Sequence, residues 1–175
     1  MDSWHKDYLA NKEDYLKLFD TTMQKEQETN VEFLEKSITK LTGRRYTIVC
    51  SNGTDALHFA LISLGIKSGD EVITTNFSWI STASCISMAG ATPVFCDINM
   101  SSYHLSLDSI KNMYSDKTKA IVYPHLFGNM SDTKEIIDFC KEQGDAIIAD
   151  TAQSIGASLH DIKAGTMRDI STLSF

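Results

Sequence analysis

The run "KAIVYPHLFGNMSDTKEIIDFCKEQGDAIIAD", Lys119 to Asp150, holds two apolar strand-like pieces, "KAIVYPH" and "AIIAD", on either side of a helix-period segment over residues 131–143. Ile136, Ile137, Phe139 and Cys140 mark one face of that segment, set against Asp132, Lys134, Glu135, Asp138 and Lys141. Such spacing predicts an amphipathic helix. Two short strands joined by a helix form a parallel βαβ unit. Working outward, the same alternation begins at Tyr46 and predicts further strands at "YTIVC", "EVITT", "TPVFCDI" and "ISTLS", with helices near 54–64, 78–89 and 106–114. Near-continuous apolar strands need cover on both faces. The expected fold is therefore α/β, a mostly parallel sheet with helices on both sides.

Val31, Leu34, Ile38 and Leu41 predict one more amphipathic helix, ended by Gly43. The first 29 residues are dense in Lys, Asp and Glu, with Trp4, Tyr8, Tyr15 and Phe19 among them. We expect an N-terminal arm or helical extension over 1–29 and one α/β domain over 30–175.

Composition narrows the function. The chain has 175 residues, 42% of them apolar, enough for one domain with a core. Sixteen basic against 23 acidic residues give a net charge of −7. That charge repels nucleic acid and anionic membranes alike. No apolar run approaches the roughly 20 residues that cross a bilayer, and "MDSWHKDYLA" lacks the basic and apolar regions of a signal peptide. A cytoplasmic location is expected. Cys50, Cys85, Cys96 and Cys140 are spread without C-x-x-C spacing and read as buried, reduced thiols. The five histidines are scattered, so no zinc site is expected.

In an open parallel sheet, ligands bind beyond the carboxyl ends of the strands. After "YTIVC" comes "SNGTDAL": Gly53 permits a tight turn, and the amides of Thr54 and Asp55 open a helix whose positive end can hold a phosphate. A plain N-cap made by Ser51 or Thr54 is the other reading. After "EVITT" comes "NFSWIST", which sets Trp79 either as a plate for a flat ring or as a core aromatic. After "AIIAD", Asp150 is a carboxylate ending a very apolar strand. A magnesium role would need a G-x-x-x-x-G-K-[ST] loop, and a dinucleotide would need G-x-G-x-x-G; neither motif is present. A phosphate cradle, an aromatic plate and an isolated carboxylate at one sheet mouth together suit pyridoxal phosphate. Its pyridine nitrogen needs a carboxylate to stay protonated as part of an electron sink. Asp97, after "TPVFC", reads as a structural turn acid.

From Gly43 onward, "GRRYTIVCSNGTDALHFALISLGIKSGDEVITTNFSWISTASCISMAGATPVFCDI", then "KAIVYPHLFGN", "AIIADTAQSIGA" and "STLSF", resembles the N-terminal part of the DegT/DnrJ/EryC1/StrS sugar aminotransferases. These are fold-type-I pyridoxal-phosphate enzymes. The resemblance implies a transfer of an amino group, with glutamate as donor, to a keto sugar carried on a nucleotide, in polysaccharide biosynthesis, by an enzyme that is a homodimer at full length. It implies that the amides of Thr54 and Asp55 hold the phosphate, that Trp79 stacks on the ring, that Asp150 pairs with the pyridinium nitrogen and that Gln153 contacts the ring hydroxyl. Ser174 would be the side-chain phosphate ligand. His125, in the "HLFG" element, would contact cofactor or substrate, or else be satisfied by neighbouring backbone.

The family's Schiff-base lysine lies five residues beyond that serine, past Phe175. The 175 residues are thus expected to be an incomplete large domain without the small C-terminal domain, and inactive by themselves. Lys163, the nearest upstream lysine, lies in "LHDIKAG", which reads as a surface hairpin. Two alternatives stay open: a related dehydratase, with histidine in place of the lysine, and a non-catalytic remnant that binds the cofactor or a partner subunit at most.

Overall fold

Successive residues of a strand point to opposite faces of its sheet, and in this chain the two sets enter two separate cores. Val72, Ala120, Val122 and Ile148 pack with Leu57, Leu61, Cys85 and Ile86 in one core. Ile73, Ile121, Tyr123, Ile147 and Ala149 pack with Ile110, Ile136 and Cys140 in the other. The computed structural model describes residues 10–14, 16–17, 30–166 and 169–175. The strands are β1 (Glu71–Thr74), β2 (Thr92–Phe95), β3 (Thr118–Pro124), β4 (Ala146–Asp150), β5 (Ser158–Leu159), β6 (Ile162–Lys163) and β7 (Ile170–Thr172). The helices are α1 (Asn30–Thr42), α2 (Gly53–Ser63), α3 (Ile80–Met88), α4 (Leu107–Met113) and α5 (Lys134–Gln143).

Five strands form one sheet in the order β2-β1-β3-β4-β7, and all four pairings are parallel. The first core lies under α2 and α3, the second under α4 and α5. Helices cover both faces, as the apolar strands require. The "LHDIKAG" segment forms the expected hairpin, β5 against β6. Its turn residues His160 and Asp161 have φ of 48° and 63°, the left-handed values of a tight two-residue hairpin turn.

The chain divides into two compact units, Met1–Val49 and Cys50–Phe175. In the first unit, α1 ends where expected: Gly43 has φ of 71° and donates its amide to the Thr39 carbonyl at 2.8 Å, a glycine C-cap. The arm expected over 1–29 lies outside the described residues, apart from 10–14 and 16–17, which are helical.

One expected strand is absent. Residues 46–50, "YTIVC", take no strand pairing among the described residues. A β-branched apolar run becomes a strand only where a neighbour offers a ladder of donors and acceptors. Here the Val49 amide donates instead to the Glu35 carboxylate at 2.9 Å, and Thr47 shares a hydroxyl contact with Thr39 at 2.9 Å. Tyr46 and Ile48 are 72% and 85% exposed. "TPVFCDI" also ends earlier than expected, at Phe95, with Ile98 making an isolated bridge to Leu105.

Candidate functional site

The parallel register brings the carboxyl ends of three neighbouring strands level. Pro124 of β3 stands opposite Asp150 of β4, which stands opposite Thr172 of β7. Beyond this row the backbone stays tied: the His125 amide donates to the Asp150 carbonyl at 2.8 Å, and the Thr151 amide to the Thr172 carbonyl at 2.9 Å. Ile148 belongs to the core under α2 and α3. Two residues on, Asp150 shares that face by strand periodicity.

There its carboxylate meets α3. Thr82 donates its hydroxyl to Oδ2 of Asp150 at 3.1 Å, and the Ala152 amide donates to Oδ1 at 3.3 Å. Asp150 is 9% exposed. Burial pushes its carboxyl above the ordinary value, and the Ala152 amide and the Thr82 hydroxyl pull it partly back. Among the described residues it has no ion pair.

The first turn of α2 lies beside the end of β7. A Cβ built on Gly53 would come 3.1 Å from Cβ and 3.2 Å from Oγ of Ser174, so glycine is what lets the helix start sit against that serine. Thr54 is tied to α3 twice: its hydroxyl meets that of Ser81 at 2.8 Å, and its carbonyl accepts from the Cys85 thiol at 3.1 Å. Burial, then Asp150, then Asp55 push that thiol up to about 11. It stays protonated and is no nucleophile.

The N-cap of α2 is neither Ser51 nor Thr54 but Asn52. Its side-chain oxygen accepts from the Asp55 amide at 2.9 Å, and its Nδ2 donates to the Asp55 carboxylate at 3.1 Å. The Asp55 amide expected to face a phosphate is thus engaged by its own cap, and the Asp55 carboxylate is turned towards Asn52. Trp79 caps α3 with its backbone and is 71% exposed, so it is not a core aromatic. Gln153 is exposed, and its Oε1 accepts from the Phe127 amide at 2.9 Å.

His125 is placed differently. Its ring lies 5.1 Å from that of Tyr123 and 5.6 Å from that of His104, centroid to centroid, and Tyr123 belongs to the core under α4 and α5. Burial, with His104 beside it, pushes its imidazole down to about 4, and the Asn129 backbone bonds to it. Asp97 is exposed beyond β2, its amide bonded to the Ser109 hydroxyl at 2.8 Å, in keeping with a turn acid.

Sequence reasoning overlooked Ser78 and Thr82. Ser78 Oγ lies 2.9 Å from Thr82 Oγ1, one helical turn away, and the chain of hydroxyls ends on Asp150. The signal available was a pair of hydroxyl residues four apart, shortly after β1, in a segment that also holds Ser81, Ser84 and Ser87.

Comparison with known proteins places the chain. Residues 10–175 match the DegT/DnrJ/EryC1/StrS aminotransferase family. A GDP-perosamine synthase of Vibrio cholerae is 39% identical over 131 residues, covering 75% of this chain and 36% of that protein. A UDP-N-acetyl-3-dehydro-alpha-D-glucosamine 3-aminotransferase of Acidithiobacillus ferrooxidans is 38% identical over 142 residues, covering 81% and 38%. The Bacillus subtilis protein ntda, solved with bound cofactor PMP, superposes with a TM-score of 0.78 at 30% identity, over 87% of this chain and 35% of that one. The chain spans less than half the length of these relatives.

Proposed function

The chain belongs to the DegT/DnrJ/EryC1/StrS aminotransferase family, and from that premise we propose that it forms the cofactor-holding part of a pyridoxal-phosphate aminotransferase acting on a nucleotide-linked keto sugar, with glutamate as amino donor. The observation that carries this reading is Asp150: a buried carboxylate, raised in pKa by burial, at the mouth of the sheet. A protonated pyridine nitrogen supplies the positive partner that this carboxylate otherwise has to do without. Two relatives are named for GDP-linked and UDP-linked compounds, so the proposal stops at the class of nucleotide sugar.

The residues fit the cofactor. Gly53 brings the α2 terminus against Ser174, so helix amides and the Ser174 hydroxyl would hold the phosphate together. The Thr54 amide is proposed as a direct donor; that of Asp55 joins it once Asn52 yields its bond. Trp79, with its ring exposed, would bear on the flat ring, and Gln153 would contact the ring hydroxyl. When bound, pyridoxal phosphate supplies a conjugated ring that takes up the electron pair left when an amino acid's Cα–H bond breaks. Asp150 keeps a proton on the ring nitrogen, and its charge acts where negative charge develops.

The proposal extends to a homodimer and to the cytoplasm. None of the four cysteines is in a disulfide, Cys50 being half-buried and the other three buried, which suits a reducing compartment, and no helix among the described residues is long and apolar enough to cross a membrane. Calorimetry of this chain with pyridoxal and pyridoxamine phosphates tests the cofactor reading, and mass spectrometry of a nucleotide-linked keto sugar incubated with cofactor, glutamate and a full-length protein that continues this chain to the family's lysine tests the reaction. Amino sugar formed together with 2-oxoglutarate supports it. Binding of neither cofactor form, or a sugar that loses water without consuming glutamate, overturns it.

A further inference from the structure

We propose that Thr82 is a positioning residue for Asp150, the receiving and donating middle of a relay Ser78–Thr82–Asp150 that fixes the orientation of the carboxylate. The inference rests on the reading of Asp150 as the partner of the cofactor's ring nitrogen. A threonine hydroxyl carries one proton. Thr82 gives it to Oδ2 of Asp150 at 3.1 Å, so its 2.9 Å contact with Ser78 is one in which Ser78 donates. With Asp150 ionised, this fixes the direction of the relay. Hydrogen bonds in such a chain polarise one another, which makes Ser78 part of the device although it does not touch the carboxylate.

The relay is fixed in place. Thr82 is 1% exposed, and its amide donates to the Trp79 carbonyl at 3.0 Å in the first turn of α3. The element that carries Trp79 therefore also carries the hydroxyl that orients Asp150. The other carboxylate oxygen accepts from the Ala152 amide at 3.3 Å, so each oxygen of Asp150 has one donor, and Thr82 is the one that comes from a side chain. A hydroxyl that donates to a carboxylate favours the charged form and opposes the effect of burial. Charged neighbours of this corner are acidic: Asp150 and Asp55 both act on Cys85. That leaves neutral donors to keep the carboxylate charged until the ring arrives.

Three variants separate the relay from simple packing. Thr82→Val keeps the shape and loses the hydroxyl, Thr82→Ser keeps the hydroxyl and loses a methyl, and Ser78→Ala removes the first donor. The readouts are the titration of the Asp150 carboxyl by isotope-labelled carbon NMR in the cofactor-free protein, and the affinity for pyridoxamine phosphate by calorimetry. Thr82→Val is expected to raise the carboxyl pKa further and to weaken binding severalfold, because the carboxylate is then charged at greater cost before it meets the ring. Thr82→Ser should stay close to wild type, and Ser78→Ala should move in the same direction as valine but less far. A packing role would reverse the order, with serine worse than valine. An Asp150 titration unmoved by Thr82→Val overturns the relay. A titration that moves as expected in a protein that binds no pyridoxamine phosphate supports the relay and overturns the cofactor reading instead.

Discussion

Replacing Gly53 by alanine sets two effects of known size against each other. The backbone at Gly53 lies outside the left-handed region, so alanine meets no backbone strain there, and Gly→Ala within a helix stabilises by about 0.5–1 kcal/mol. Against this, the new Cβ would stand 3.1 Å from Cβ and 3.2 Å from Oγ of Ser174, where ordinary contacts are 3.4–4 Å. Overpacking of that kind costs about 1–3 kcal/mol if nothing moves. Should Ser174 yield by a few tenths of an ångström, the clash is relieved, but its hydroxyl leaves the helix terminus. One charge-assisted bond to a phosphate is worth about 1.5–3 kcal/mol, about tenfold to a hundredfold in affinity. Stability and phosphate binding therefore cannot both survive Gly53→Ala. Thermal melting without ligand and calorimetry with pyridoxamine phosphate, run on the same preparation, measure the two sides. A variant with wild-type melting and wild-type affinity would refute the claim that the Gly53–Ser174 contact forms the phosphate end of the site.

Acid should weaken the fold through His125. Its imidazole sits at about 4 in the folded chain against 6.5 for the free group, so the unfolded chain binds the proton first as pH falls. The contribution is fully present above about pH 6.5 and is lost on the way down to about 4, roughly 3 kcal/mol in all. Urea melts of wild type and His125→Gln should converge across that window, and a gap independent of pH would contradict the assignment. Ile148, fully buried between β3 and β7 under α2 and α3, should cost about 2–5 kcal/mol on truncation to alanine. Ile162→Ala, on the exposed hairpin, should stay within about 0.5 kcal/mol; equal costs in urea titrations would count against the two-core description.

The sheet was legible because strand and helix periods are local properties. Five of the six expected strands form: "KAIVYPH" begins one residue early, at Thr118, and "TPVFCDI" stops at Phe95. "YTIVC" had the composition of a strand, but a strand also needs a neighbour, and composition does not report one. Asp150 and Trp79 stood out because they follow strands of an open parallel sheet, where ligands bind beyond the carboxyl ends. Thr82 did not stand out: in "WISTASC" it is one hydroxyl among several, and its partner lies 68 residues away. Asn52 was passed over for its neighbours because N-cap preference alone does not separate serine, threonine and asparagine. The inward turn of His125 depended on Tyr123 and His104, brought together only by the sheet and the Ile98–Leu105 bridge.

The central claim is that Asp150 holds a proton on the ring nitrogen of a bound cofactor. Nitrogen NMR of ring-labelled pyridoxamine phosphate, bound to wild type and to Asp150→Asn, measures this at the atom concerned. The account predicts that wild type keeps the nitrogen protonated from mildly acidic to mildly alkaline pH. With Asn, which keeps the size and hydrogen-bonding capacity but lacks the charge, the ligand still binds in part but loses that proton within the same range. A ring nitrogen that titrates identically in both proteins would contradict it and leave Asp150 a structural residue.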